Sequence, residues 1–370
     1  MTHPGIQPFI RAYQERTQRL KSLKESGRKM IGYFCSYTPL EVIDAAGFVP
    51  VRVIGGAGRV EDAYSLVPDF ICPFMKRCLE KAMAGEYRYL SGIVQGYTCD
   101  VACGIVNVWK ENIPAEIYHT IPLPYLDSKE SREYLRSELN VLIDRLNVMG
   151  GSCTSESLKN SINRYRKLRE ILADLTMGHN GRRAALSAVD RYYLRQACSC
   201  LPVEEALQAL ELLRYQISGT ESIKPSGIPV MVSGSVIESH LVYEALEQCG
   251  ADIVIDDVCS GERGFQNITG DVKNPLDAII HQHFSRQPCP SRCRAEDRLL
   301  LMKKQIADHD IRGVIFVLQK FCTPHLADIP FLTEKLKALG IPSVVIEMDE
   351  NWNVDGQFRT RIEVFLELIG

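Results

Sequence analysis

Short apolar runs alternate with stretches of helical periodicity in two separate parts of the chain. The pattern of the first part predicts strands at 30–35, 49–54, 89–97 and 116–121, with helices at 39–46, 74–84 and 100–111. The second part predicts strands at 228–233, 252–257, 313–319 and 343–347, with helices at 238–248, 294–308, 326–339 and 356–369. Because strands separated by helices of about 10–15 residues form parallel βαβ units, both parts are predicted to be α/β.

The remaining residues have only helical patterns. We predict an N-terminal helix at 1–28, a first α/β domain at 29–130, a helical segment at 131–224 and a second α/β domain at 225–370. Each α/β domain is expected to be a doubly wound, Rossmann- or flavodoxin-like parallel sheet. Both domains show the same alternation of strands and helices, but the sequence contains no visible internal repeat.

Composition and charge favour a soluble globular protein over a nucleic-acid-binding or membrane protein. With 370 residues, 45% hydrophobic and 24% charged, the chain has the make-up of an ordinary soluble protein of two domains. Its net charge of −3, without a run of Lys or Arg, predicts no nucleic-acid partner. No stretch is apolar enough to predict a membrane span, and the first residues do not resemble a signal peptide. We therefore expect a cytoplasmic protein.

Cysteine is the most informative residue type. There are 13 cysteines, an odd and high number, and four of them fall within residues 72–103 with the spacing C-x5-C-x20-C-x3-C. In a reducing compartment, metal or redox chemistry explains such a count better than disulfides do. Thiolates select iron–sulfur clusters, zinc or copper(I), and this spacing differs from the C-x2-4-C pairs of zinc ribbons. The four are Cys72, Cys78, Cys99 and Cys103.

Several cysteines are predicted to stand where a helix begins. Cys99 and Cys322 each follow a predicted strand, and Cys72 and Cys289 each precede a proline, which suits the first position of a helix. Ligands of open α/β sheets bind at such places, and helix N-termini stabilise thiolates and anionic cofactors. These four positions therefore best support a negatively charged inorganic cofactor.

The other cysteines near these positions are harder to assign. Cys103 lies one helical turn after Cys99 on the same face, whereas Cys78 can converge with Cys72 only if Cys72 lies in the loop ahead of the helix. Cys293 follows Cys289 by four residues. Two further cysteines end predicted strands and are interpreted as spectators that line the cleft, namely Cys35 and Cys259.

Five motifs resemble the 2-hydroxyacyl-CoA dehydratase / benzoyl-CoA reductase family, of the D-component type. They are CSYTPLEVIDAAG at 35–47, YTCD at 97–100, DDVCSGER at 256–263, KFCTPH at 320–325 and GQFRTRIE at 356–363. The resemblance runs nearly end to end and is weakest in the helical middle. It implies two α/β domains with an iron–sulfur cluster in the cleft between them. In the dehydratases three cysteines hold one [4Fe–4S] cluster, and the matching residues here are Cys72, Cys99 and Cys322.

Within this family the chain looks most like the branch of double-cubane cluster proteins, because Cys78 and Cys103 are additional to the dehydratase pattern. That branch implies an [8Fe–9S] cofactor with three thiolates on each cubane, six in all. Five of these six ligands would be cysteines already named above, and the sixth ligand is expected in the loop 288–294. The five are Cys72, Cys78, Cys99, Cys103 and Cys322. We favour Cys293, with Cys289 as the alternative.

The resemblance also implies an activity. A separate ATP-hydrolysing iron–sulfur activator supplies low-potential electrons in this family, and the chain itself has no G-x-x-x-x-G-K-[ST] phosphate loop. We therefore predict an ATP-dependent reductase component, a homodimer, that reduces small molecules such as acetylene, azide and hydrazine. The alternatives are a 2-hydroxyacyl-CoA dehydratase or benzoyl-CoA reductase subunit with a single [4Fe–4S] cluster, and a non-catalytic cluster carrier.

Three polar residues are candidates for catalysis. His325 follows Cys322 closely and could donate a proton or simply support the start of its helix. Glu347 ends a predicted strand and could assist proton transfer, and Gln357 opens the last helix and could hydrogen-bond to cluster sulfurs.

Overall fold

The computed structural model describes residues 2–177, 186–217, 227–266 and 274–370. It contains two four-stranded parallel sheets, which confirms the α/β class and the two doubly wound units. Parts of the predicted helical segment, and residues 225–226 at the start of the predicted second domain, lie outside the described residues. The strands are β1 (Met30–Tyr33), β2 (Val49–Arg52), β3 (Leu90–Gly96), β4 (Ile117–Ile121), β5 (Ile228–Gly234), β6 (Ala251–Asp257), β7 (Gly313–Gln319) and β8 (Ser343–Met348).

The two sheets have the same topology. The strand order is β2-β1-β3-β4 in one sheet and β6-β5-β7-β8 in the other, and every neighbouring pair is parallel. In each sheet the second strand is added on one side of the first strand, and the third and fourth strands are added on the other side. The switch point therefore lies between β1 and β3 in one sheet, and between β5 and β7 in the other. Such switch points open a crevice at the carboxyl ends of the strands, where doubly wound proteins bind their ligands. We call the β1–β4 sheet with its flanking helices the first lobe, and the β5–β8 sheet with its helices the second lobe.

Fourteen α-helices are described. They are α1 (Gln7–Gln14), α2 (Arg16–Glu25), α3 (Leu40–Ala45), α4 (Pro73–Met83), α5 (Asp100–Asn112), α6 (Lys129–Val148), α7 (Ser155–Met177), α8 (Ala188–Cys198), α9 (Val203–Ile217), α10 (His240–Gln248), α11 (Pro275–Phe284), α12 (Ala295–Asp308), α13 (Thr323–Ala338) and α14 (Gly356–Ile369). None of these described helices has the length and apolarity needed to cross a bilayer.

Two details differ from the sequence-based expectation. The single helix predicted at 1–28 is interrupted at Glu15, whose φ of −91° and ψ of 8° end α1 and start α2. The helix α11 was not predicted. Asn274 caps it by accepting a hydrogen bond from the Leu276 N–H at 2.9 Å.

Each sheet is buried on both faces, as parallel sheets require. In the first lobe, alternate residues of β1 point to opposite sides, so that Met30 packs with α2, α4 and α5, and Ile31 packs with α3, α6 and α11. In the second lobe, Val230 faces α1, α7–α10 and α14, whereas Met231 faces α12 and α13. The helical segment thus joins the cores of both lobes.

Helix α11 belongs to the second half of the sequence but packs against the first lobe. Ile279 and Ile280 are buried in the first-lobe core beside α6, and Arg136 on α6 pairs with Asp277. The loop 285–294, which leaves α11, therefore starts beside the carboxyl ends of the first-lobe strands. This placement brings a cysteine-containing loop into the region between the sheets.

Candidate metal centre

Three cysteines cap the helices that begin where the two lobes meet. Cys72 is the N-cap of α4, Cys99 of α5 and Cys322 of α13. The Cys99 Sγ accepts a hydrogen bond at 3.4 Å from the N–H three residues further on. Backbone N–H groups at the same position of the other two helices also act on Cys72 and Cys322, where they oppose the rise in pKa that burial causes. All three cysteines thus stand at the positive end of a helix.

These three thiols act on one another electrostatically although they come from different lobes. Burial raises the pKa of Cys72 to about 11 and that of Cys99 to about 12, and raises the pKa of Cys322 well above its ordinary value. The charge of Cys72 further raises the pKa of both other thiols, and Cys99 acts on Cys322. The three are therefore protonated in the metal-free chain, and a metal bound by them would have to release their protons.

One buried side chain joins the lobes beside these thiols. The Gln319 Oε1 accepts a hydrogen bond from the Phe74 N–H at 2.7 Å, and its Nε2 donates to the Val236 carbonyl at 2.9 Å. Gln319 precedes Cys322 by three residues, and Phe74 follows Cys72 by two. The hydrogen bond therefore fixes the start of α4 relative to the end of β7.

Substitution of this glutamine should loosen the junction. In Gln319→Leu the buried Phe74 N–H loses its acceptor, and we expect the metal-free chain to lose about 1–3 kcal/mol of unfolding free energy in urea. The exposed Gln208→Leu on α9 is the matched control and should change stability by less than about 0.5 kcal/mol. Equal stability of the two variants would contradict the role assigned to Gln319.

A second group of three thiols lies next to the first. Cys35 follows β1, Cys259 follows β6, and Cys289 is in the loop 285–294. Burial raises the pKa of Cys259 to about 11, and the charges of Cys289 and Cys35 raise it further. The charges of Cys35 and Cys289 also raise the pKa of Cys99. The structure therefore gathers six thiols, three of which the sequence had left as spectators or as an alternative.

The other predicted ligands have different surroundings. Cys78 is fully buried in the first-lobe core, where burial raises its pKa well above the ordinary value. Cys103 is partly exposed, and besides burial only Asp100 and Thr120 act on its pKa. Burial raises the pKa of Cys293 to about 12, and Cys289 raises it further. The ligand roles of these three residues remain predictions from the sequence.

The three polar residues predicted to be catalytic differ in their exposure to solvent. His325 is buried, and the Arg263 Nη1 lies 3.4 Å from its Nε2. Burial, with Arg298 and Arg263, lowers the pKa of His325 well below its usual range, so the ring is neutral at neutral pH. Glu347 and Gln357 are exposed to solvent. Their catalytic roles also remain predictions.

Glu238 was missed as a site residue because the sequence indicates only that it is the first residue of a helix. It precedes α10, and its carboxylate accepts hydrogen bonds from the Gly55 N–H at 3.0 Å and the Gly56 N–H at 2.7 Å. Burial raises the pKa of Glu238 to about 7. The adjacent glycines after β2 were the available signal, since Gly56 adopts a φ of 65°, which favours glycine. This contact is a second link between the lobes.

The donor set fits an iron–sulfur cofactor better than a single ion. Within the described ranges, no group of three or more His, Cys, Asp or Glu residues is arranged to hold one metal ion. The thiolates of a cubane bind different irons, so their sulfurs stand further apart than those around one zinc ion. All 13 cysteines are free, and those gathered here supply only sulfur, at helix starts and strand ends.

Known proteins resemble the chain over nearly its whole length. The family described as 2-hydroxyglutaryl-CoA dehydratase, D-component, matches residues 35–369. The beta subunit of (R)-phenyllactyl-CoA dehydratase from Clostridium sporogenes is 28% identical over 95% of this chain and 94% of its own length. One benzoyl-CoA reductase subunit from Thauera aromatica is 26% identical over 88% of this chain and 87% of its own. The beta subunit of (R)-2-hydroxyglutaryl-CoA dehydratase from Acidaminococcus fermentans is 25% identical over 98% of both chains.

Proposed function

Because the chain belongs to the 2-hydroxyglutaryl-CoA dehydratase D-component family, we propose that it is an iron–sulfur enzyme component with its cofactor between the two lobes. The observation that carries this proposal is the approach of Cys72, Cys99 and Cys322, from both lobes, at three helix starts. Sulfur ligands at the positive ends of helices suit an anionic cluster.

The component would accept electrons and not hydrolyse ATP itself. Family members work with a separate ATP-dependent activator, and this sequence has no phosphate loop of the G-x-x-x-x-G-K-[ST] type. The bound cofactor would supply low-potential electrons to a small-molecule substrate. We favour an [8Fe–9S] double cubane that reduces substrates such as acetylene, azide and hydrazine, because more thiols than the three that one cubane takes stand at helix starts and after strand ends where the lobes meet.

The chain's own residues would organise the cleft around that chemistry. Arg263 can only donate hydrogen bonds, so the Nε2 of His325 accepts and its single proton lies on Nδ1. The neutral ring is suited to offering that N–H as a hydrogen-bond donor, not to acting as an imidazolium acid. Burial of the ring also helps to keep water from this side of the thiols.

A second candidate function is that of a dehydratase or thioester-reductase subunit with a single [4Fe–4S] cluster. It is favoured by the names of the three relatives, which are subunits of CoA-thioester enzymes and match nearly end to end. In that case the substrate would be a 2-hydroxyacyl-CoA or an aromatic acyl-CoA.

Anaerobic purification followed by iron and acid-labile sulfide counts separates these candidates. About eight irons per chain are expected for the double cubane, and about four for the single cluster. Acetylene, azide, hydrazine and a 2-hydroxyacyl-CoA are then tested as substrates with ATP and the ATP-dependent activator of a relative. Zinc without iron, or ATP hydrolysis by the purified chain alone at enzymatic rates, would contradict the proposal.

A further inference from the structure

We propose that Cys35, Cys259 and Cys289, of which Cys259 lies beside the Arg263 guanidinium, are a second set of three cofactor ligands. Together with the first set they give six thiolates in one cleft, the number that two cubanes take. This inference rests on the proposed function. It also replaces the ligands that the sequence predicted for the second half of the cofactor, which were Cys78, Cys103 and Cys293.

The strongest geometric evidence concerns Cys259. The Arg263 Nη1 lies 3.7 Å from the Cys259 Sγ, and the same guanidinium is held by Asp257 at 2.7 Å. Arg263 is only 3% exposed, so its charge is fixed and poorly screened. A fixed cation beside a buried thiol favours the thiolate, the form that binds iron.

Arg263 also connects the two sets of thiols. Its Nη1 is 3.4 Å from the Nε2 of His325, a residue in the first turn of α13, the helix that Cys322 caps. One buried cation thus contacts Cys259 of the second set and the first turn of the helix that begins after Cys322.

Cys35 is held at the switch point of the first lobe. Its N–H donates to the Gln95 Oε1 at 3.1 Å, and the N–H of Phe34 donates to the same oxygen at 3.0 Å. Gln95 is fully buried on β3, the strand that leads to Cys99. Cys35 and Cys99 therefore leave neighbouring strands at the same edge of the sheet, where ligands are bound.

Cys289 reaches this edge because its loop is fastened to the first lobe. Arg292 donates from its side chain to the carbonyls of Leu123 and Pro124, and from its backbone to the Cys289 carbonyl at 2.7 Å. Cys289 is consequently buried, whereas Cys293 in the same loop is only partly so. This difference favours Cys289 as the ligand from the loop.

Cys78 and Cys103 fit the second set less well. Cys78 packs in the first-lobe core, beyond the first turn of the helix that Cys72 caps. Cys103 has Asp100 and Thr120 as the groups that act on its thiol, and no cation is among them. Neither lies beside the Arg263 guanidinium, as Cys259 does, or follows the carboxyl end of a strand, as Cys35 and Cys259 do.

The test is iron and acid-labile sulfide per chain, with Mössbauer spectra, in single Cys→Ala variants reconstituted anaerobically. Wild type should bind about eight irons, and Cys35→Ala, Cys259→Ala and Cys289→Ala should each lose about half or more of them. Cys78→Ala, Cys103→Ala and Cys293→Ala should bind as much as wild type. Cys249→Ala is the control for the loss of a thiol as such, because the Cys249 thiol lies at the end of α10, next to Glu363 on α14, and is not among the proposed ligands. Each ligand position is repeated as Cys→Ser, with circular dichroism to verify folding.

The outcomes are distinguishable. Loss of iron from Cys78→Ala or Cys103→Ala, with full iron in folded Cys259→Ala and Cys289→Ala, would overturn this inference. So would a wild-type count near four that depends only on Cys72, Cys99 and Cys322, although the proposed function would then stand. A wild-type chain that binds no iron after reconstitution would overturn both.

Discussion

Cys322→Ala is expected to lower the iron content and the visible absorbance of the reconstituted chain at least about tenfold. Of the three thiols that cap helices between the lobes, Cys322 alone comes from the second lobe. Its loss would leave the set that comprises Cys72, Cys99 and Cys322 without its ligand from the second lobe. Replacing residues that merely support metal ligands costs about 10–100-fold in metal affinity, so removal of a ligand should cost at least as much.

The control is Cys249→Ala, whose partly exposed thiol lies 4.0 Å from the Glu363 carboxylate. Both variants should fold, because the Cys322 side chain makes no capping hydrogen bond to α13. Iron, sulfide and the absorbance spectrum are measured side by side. Wild-type iron content in folded Cys322→Ala would remove the main reason for placing the cofactor between the lobes.

Arg195→Met is expected to lower the free energy of unfolding by about 3–5 kcal/mol. Arg195 on α8 is 2% exposed, and its Nη1 lies 2.8 Å from the Asp256 Oδ2 on β6. Asp256 also accepts a hydrogen bond from the Tyr243 hydroxyl at 3.0 Å. Removal of the arginine would leave a buried carboxylate without its cation, which costs far more than loss of a surface pair.

Urea unfolding of the metal-free chain measures this effect. The exposed pair Arg19–Glu205 provides the matched control, and Arg19→Met should cost no more than about 1 kcal/mol. In the double variant Arg195→Met/Asp256→Leu, one of the two buried carboxylates that pair with Arg195 is gone and only Glu262 is left without its cation, so part of the lost stability should return. A single variant no less stable than Arg19→Met would show that the pair does not hold the helical segment to the second lobe.

The sequence predicted the strands well because their signal is local. Strand β7 contains a run of buried apolar residues, and the helix starts at Cys72 and Cys322 are marked by prolines. Helix α11 has no such signal. Its buried Ile279 and Ile280 are adjacent in sequence, and their burial depends on packing against α6, which is far away along the chain.

The arrangement of the site was less predictable, since it depends on contacts between distant residues. The spacing within 72–103 drew attention to Cys78 and Cys103 because they are near other cysteines in sequence. Cys35 and Cys259, which have no cysteine close by in sequence, are brought together only by the docking of the two sheets. The contacts of Arg263 with Cys259 and of Glu238 with Gly55 likewise exist only after that docking.

The hydrogen bonds from Gln319 to Phe74 and from Glu238 to Gly55 and Gly56 have a consequence for biogenesis. While they persist, these bonds hold the two halves together beside the thiols. Entry of iron and sulfide into the folded chain would therefore require these bonds to open, and their return would seal the cofactor inside.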